Sequence, residues 1–176
     1  MRAYQDMVYG TAIRLLGNDA EAQDICQEVF MKAYERFHEI RESPTVGGWL
    51  KTVARNLCLN HLTRHRARWT SFTDLQREGD EGADPMSHLA APDTQSEHWD
   101  AEARSQWVET GLRQLPDPQR VPLVLYHFEE LSYEAIAERL AVSVSKVKTD
   151  IHRGRLALRR HLVRAGIQLG ETNPQH

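Results

Sequence analysis

Ser145, Lys146, Lys148, Thr149, His152 and Arg153 fall in one short stretch of the 176-residue chain. None of them is set up for covalent chemistry. Hydroxyl, ammonium, imidazole and guanidinium groups at this spacing can instead reach base edges and phosphates in a DNA major groove. A solvated basic helix face is the plainer alternative. A second constellation joins Trp49, Lys51, Arg55 and Asn56 to the breaker-rich segment His38–Gly48, which contains Pro44, Gly47 and Gly48. An aromatic ring can stack on a base, an amide can read its edge, and the cations can follow phosphates, which suits a single strand. Against this, Trp49 also falls on an apolar stripe and could simply be core. The third constellation is acidic: Asp19, Glu21, Gln23, Asp24, Gln27 and Glu28. Acidic residues favour a helix N-terminus, which explains part of it, and a protein-docking face explains the rest.

Catalysis finds no support. The chain has no glycine-rich phosphate loop and no nucleophile elbow. Asp24 and Glu28 are four residues apart, but on the polar side of their helix. His61 and His65 share that spacing, yet Leu62 stands where a zinc-protease helix needs Glu. No metal or cofactor is therefore expected, and Cys26 and Cys58, each on an apolar stripe, read as free core thiols.

The elements that must position these groups are helices. In Leu131–Leu162, Ser132 can cap a short helix with the stripe Tyr133, Ile136, Ala137 and Leu140. Ser143 can cap a longer one with Val144, Val147, Ile151, Leu158 and Leu162. Only Ala141–Ser143 separates them, so the helices must cross steeply as a helix-turn-helix. Before them, Trp107, Val108, Leu112 and Leu115 mark one helix. Asp117 as N-cap with Pro118 behind it begins another, carrying Val121, Val124, Leu125 and Phe128.

The N-terminal block reads as three helices. The first runs from about Ala3 to Leu16, with Tyr4, Met7, Val8, Ala12, Leu15 and Leu16 inward and Gly17 at its end. Asn18 caps the second, with Glu21 placed to reach back as in a capping box. Its inward stripe is Ala22, Ile25, Cys26, Val29, Phe30, Ala33, Tyr34 and Phe37. The third runs from Trp49 to about Arg68.

The expected fold is all-α: a three-helix N-terminal domain (residues 1–69) and a four-helix C-terminal domain (103–164) with the helix-turn-helix. A flexible acidic linker (70–102) joins them, and residues 165–176 form a tail. The charge pattern agrees. Residues 71–106 carry two Lys or Arg against nine Asp or Glu, while the segments on either side each carry ten against eight. The overall net charge of −3 hides two basic clusters, Arg64–Arg66–Arg68 and Arg153–Arg164. About thirty linker residues could stretch to ~100 Å, letting the two blocks bind separate places on one long ligand. No apolar run approaches the ~20 residues of a membrane span, and no signal peptide opens the chain, so a cytoplasmic location is expected.

Two long motifs now resemble a known family. DAEAQDICQEVFMKAYERF with GGWLKTVARNLCLNHLTRHRAR resembles region two of bacterial sigma factors. LRQLPDPQRVPLVLYHFEELSYEAIAERLAVSVSKVKTDIHRGRLALRRHL resembles region four. Their order and the short stretch between them look like the extracytoplasmic-function (ECF) group. The resemblance implies a non-enzymatic partner of core RNA polymerase that directs promoter-specific initiation, with an anti-sigma factor as a further partner. It implies that Asp24, Gln27, Glu28 and Phe30 dock on the polymerase clamp. The segment Glu39–Val46, with Trp49, Lys51, Arg55, Asn56, Arg64, Arg66 and Arg68, would take the minus-ten element. Ser145, Lys146, Lys148, Thr149, His152 and Arg153 would face the minus-thirty-five element. Two departures stand out: Ala141 replaces a common turn glycine, and Asp150 lies in the recognition helix, where it could accept from a cytosine amino group or repel phosphate. The alternative reading is a stand-alone helix-turn-helix regulator, which would dimerise on a palindrome and would not need the acidic face or the aromatic–amide segment.

Overall fold

The computed structural model describes residues 2–41, 43–73 and 98–165, with side chains described over 4–41, 43–64 and 105–165. Helix α1 spans Arg2–Leu16, α2 Asp19–Glu35, α3 Phe37–Ile40 and α4 Val46–Thr73. The C-terminal block holds α5 His98–Arg113, α6 Asp117–His127, α7 Tyr133–Leu140 and α8 Val144–Arg164. The expected all-α architecture is present. The acidic segment reaches into helices at both ends, since α4 continues through Thr73 and α5 begins at His98; the rest of the expected linker lies outside the described residues.

Local chemistry sets most boundaries. Asn18 accepts hydrogen bonds from the Ala20 and Glu21 amides at 2.9 and 3.3 Å, starting α2. Glu21 carries its carboxylate to within 3.5 Å of His61 on α4, so it serves the packing of α2 on α4. Gly17 ends α1 at φ +71°, a conformation that costs a side-chain-bearing residue but not glycine. Two expectations are corrected. Gly47 and Gly48 lie inside the first turn of α4; the break falls earlier, at Ser43–Thr45, where the Ser43 hydroxyl accepts from the Thr45 amide. Asp117 is the first helical residue of α6, with Pro116 as its extended cap, and its carboxylate is taken by Arg120 at 2.5 Å.

The core gathers Val8, Ala12, Leu15, Ala22, Ile25, Val29, Leu50, Ala54 and Cys58 from the N-terminal block. The same cluster continues into Leu112, Leu115, Val124, Leu125, Ile136, Val147 and Ile151 of the other. Helix α1 is why the cluster is continuous: Ile13 and Thr11, off its expected stripe, are also buried. It packs on α2 and α4 with one side and on α6 with another. Burying Ile13 contributes about 2 kcal/mol to the packing of α1. Tyr34 and Phe37 were expected inward but are 76% and 43% exposed, and Trp107 of α5 is 45% exposed. Ala33 is the last buried residue of α2. Burial pushes the Cys58 thiol up to about 12, as suits a buried packing thiol.

Candidate nucleic-acid interface

The helix-turn-helix is built as its capping residues require. Ser132 accepts from the Ala135 amide and Ser143 from the Lys146 amide, both at 3.2 Å. Ala141 closes α7 in the left-handed region at φ 53°, donating its amide to Glu138. Val147, Ile151 and Leu162 are buried along one side of α8. Gly154 permits its close approach to α6, since a Cβ there would sit 3.0 Å from the Gln119 carbonyl oxygen. The opposite side presents Ser145, Lys146, Lys148, Thr149, His152 and Arg153, all six exposed. Asp150 is not among them. It is 7% exposed and pairs with Lys146 at 3.1 Å, so the expected role toward a base or phosphate is corrected. The period of α8 turns position 150 toward the core, and its carboxylate reaches back one turn for a counter-charge.

Beside this face lies an aromatic and cationic ladder. The Tyr126 and Tyr133 rings stack with centroids 4.7 Å apart. Lys148 lies 5.9 Å above Tyr133 and Arg155 lies 5.6 Å from Tyr126. Cation–π attraction of this kind draws Lys148 toward the Tyr133 ring at the edge of this exposed face. Arg155 also donates to His127 Nε2 at 3.2 Å, which requires that nitrogen to be unprotonated. Burial first, and then the Arg155 charge, lower the His127 pKa accordingly.

The N-terminal surfaces are mixed. On α2, Asp24, Gln27 and Glu28 are exposed, while Phe30 is half-buried. Gln27 and Phe30 line a shallow groove between α1 and α2 with Gln5, Tyr9, Gln23 and Cys26. Met31, at 65% exposure, and Tyr34 extend the exposed line of α2 with apolar surface, which a stripe drawn for the core does not reveal. Asp19 at the start of α2 is held low in pKa by the Tyr9 hydroxyl and then by Arg113.

The minus-ten candidates behave differently from the recognition face. Trp49 is half-buried against the core, Asn56 and Arg64 are exposed, and the Arg66 and Arg68 side chains lie outside the described residues. Lys51 and Arg55 are engaged by the other block. Their nitrogens approach Glu129 at 3.3 and 3.6 Å, and Lys51 also donates to the Phe128 carbonyl oxygen at 3.0 Å. Asn56 Oδ1 accepts from Arg139 at 3.2 Å. Glu129 and Arg139 were not singled out from sequence, because a pairing between blocks leaves no periodic mark.

Further polar contacts hold the blocks. Arg120 is 4% exposed and donates to the carbonyl oxygens of Leu15 (3.3 Å), Leu16 (2.7 Å) and Leu115 (2.8 Å). It thereby caps the C-terminus of α1 from another domain, at the negative end of that helix. Arg14 meets Glu109 at 2.7 Å and Arg113 meets Asp19 at 3.0 Å. The one sequence signal for Arg120 was a cation set among residues of an apolar stripe. Among the described residues no group of three His, Cys, Asp or Glu could hold a metal ion, and no helix is long and apolar enough to cross a membrane.

Sigma-70 region 2 matches residues 1–68, and Sigma-70 region 4 matches residues 105–158. The chain is 34% identical over 160 residues to the ECF RNA polymerase sigma factor SigW of Bacillus subtilis, covering 90% of this chain and 84% of that one. It is 33% identical over 158 residues to the RNA polymerase sigma-H factor of Pseudomonas aeruginosa, covering 88% and 80%. Among solved structures, the sigma factor RpoE in complex with the anti-sigma factor NepR from Bartonella quintana is similar with a TM-score of 0.48. Its sequence identity is 22%, over 92% of this chain and 93% of that one.

Proposed function

The chain belongs to the ECF sigma factors, and on that premise we propose how its residues divide the work of promoter-specific initiation with core RNA polymerase. The single observation that carries the reading is the recognition face. Six base- and phosphate-competent side chains stand exposed on α8, and the other side of the same helix is buried in the core. Ser145, Lys146, Lys148, Thr149, His152 and Arg153 face the minus-thirty-five element in its major groove.

Asp24, Gln27, Glu28 and Phe30 dock on the polymerase clamp, and the exposed Met31 lengthens that surface. The segment before α4, with Trp49, Lys51, Arg55, Asn56 and Arg64, takes the non-template strand of the minus-ten element. Flipping a base out of the stack costs a few kcal/mol, so a pocket that holds the unstacked form is what drives melting. Anchoring on the upstream duplex raises the effective concentration of the minus-ten reader at its own site. The protein is non-enzymatic and acts in the cytoplasm, where polymerase and promoter are. An anti-sigma factor covers the docking and DNA surfaces until it is released.

Run-off transcription tests the reading. Purified chain added to core polymerase should start transcripts from a subset of a genomic promoter pool. Failure to initiate on any promoter in that pool would sink it, and a dimer binding a palindrome without polymerase would replace it with the regulator reading.

A further inference from the structure

Asp150 is a carboxylate seated at the inner edge of the exposed face of α8. It is 7% exposed, beside the buried Val147 and Ile151. A buried carboxylate is costly unless it is paired. Its two oxygens lie 3.1 and 3.5 Å from Lys146 Nζ, one turn back along the helix. Helix stability does not account for this pair. Lys146 is the third residue of α8, where the positive end of the helix dipole disfavours a cation. A cation placed N-terminal to its carboxylate is also the weaker order for a pair four residues apart. The Lys146 side chain is 47% exposed, so the paired ammonium still reaches the surface. It does so in the first turn of the helix, the part of a recognition helix that contacts base edges.

Pairing changes what Lys146 can bind. A free lysine is a point charge and is drawn to phosphate. Beside Asp150 the two charges sum to zero, so little net attraction to phosphate remains. The ammonium still has three N–H donors and no acceptor, and those not aimed at Asp150 need acceptors of their own. Guanine presents two adjacent ones, N7 and O6, in the major groove. Lys148 is the contrast. It lies 5.9 Å from the Tyr133 ring, which does not neutralise it, and it stays suited to phosphate. We propose that Asp150 is a positioning residue: it turns Lys146 from a phosphate anchor into the reader of one guanine in the minus-thirty-five element. Asp150 itself does not touch the DNA. It acts by fixing the lysine before binding, so that less freedom is lost on contact. This rests on the assignment of the α8 face made above.

The test uses core polymerase loaded with the wild-type chain, with Asp150→Asn, or with Lys146→Met and Asp150→Asn together. The double change removes one charge of each sign, so the net charge stays at −3. Promoter duplexes randomised across the minus-thirty-five element are sorted by binding and sequenced. The salt slope of binding is read on one promoter between about 50 and 200 mM salt. With Asp150→Asn, preference for guanine at one position should fall at least about fivefold, the lower end of what one good base contact discriminates. The salt slope should steepen by about one, as the released lysine takes a phosphate. The double variant should lose the same preference and return to the wild-type slope. Unchanged base preferences in the folded Asp150→Asn variant overturn the proposal. So does a slope that does not steepen, or a steeper slope that the double variant keeps. If Asp150→Asn loses helicity, the double variant carries the test alone, since neutral replacement of a buried ion pair is commonly tolerated. Retained guanine preference in it overturns the proposal. Arg153→Ala checks the face apart from this. If that variant and the others all select the same sequences as wild type, the assignment of α8 falls, and the proposal with it. Preferences altered by Arg153→Ala but untouched by the Lys146 and Asp150 changes remove the proposal alone.

Discussion

Replacing Arg120 with Met should be the most damaging single change outside the apolar core. Met keeps a comparable length of apolar chain and removes the guanidinium. Three buried carbonyl oxygens, of Leu15, Leu16 and Leu115, then lose their donor, and Asp117 loses its counter-charge. Each orphaned buried acceptor costs about 1–3 kcal/mol. Asp117 is largely exposed and adds little. Water entering the gap recovers part, so the loss should be about 3–5 kcal/mol, a large share of the ~5–15 kcal/mol by which domains are stable. Urea unfolding followed by circular dichroism reads it. With a slope of about 2 kcal/mol per molar, the midpoint should fall by roughly 2 M. Arg120→Lys keeps the charge beside the α1 terminus but cannot span three carbonyls, so it should lose about half as much. A midpoint shift below about 0.5 M for the Met variant, or full recovery by Lys, would refute the reasoning. Gly17 supplies an internal check: a Cβ there would sit 2.7 Å from Arg120 Nη1, in a residue with φ +71°. Gly17→Ala should therefore cost more in the wild-type background than in Arg120→Met, where only the backbone strain of about 1–2 kcal/mol remains.

Other outcomes can be stated more briefly. Ala141→Gly relieves a left-handed alanine at φ 53° and should stabilise by about 0.5–1 kcal/mol, raising the thermal midpoint by a few degrees in a calorimetric scan. His127 has a lowered pKa in the folded chain, so the unfolded chain binds the proton more readily. Its contribution is thus present above the unfolded value near 6.5 and is lost as pH falls from there through the lower folded value; His127→Gln should flatten the fall in stability below that unfolded value in urea titrations. Glu28→Lys should weaken retention by immobilised core polymerase while leaving helicity unchanged, since Glu28 is exposed and its contact with Lys32 is a 3.6 Å surface pair.

Local signals in the chain were readable where a side chain answers to its own helix. Ser132, Ser143 and Asn18 cap the elements that their positions announced. The exposed six on α8 follow from a period that also buries Val147 and Ile151. Misreadings came where a neighbour decides. Tyr34 and Phe37 extend the α2 stripe in sequence but are 76% and 43% exposed, since the period of a helix does not record whether a neighbouring helix covers it. Asp150 looks like a member of a polar face, yet the turn of α8 carries it inward to Lys146.

By itself, the sequence determined an all-α chain with a helix-turn-helix, a family with two matched regions, and an exposed polar and basic face on α8, because periodicity and capping act over a few residues. Only the tertiary structure decided that α1 is buried on two sides, that Arg120 caps it from the other block, and that Glu129 and Arg139 hold Lys51, Arg55 and Asn56. Those contacts join residues about 75 to 105 positions apart, and Coulomb attraction and hydrogen bonding depend on distance in space, which no local pattern records.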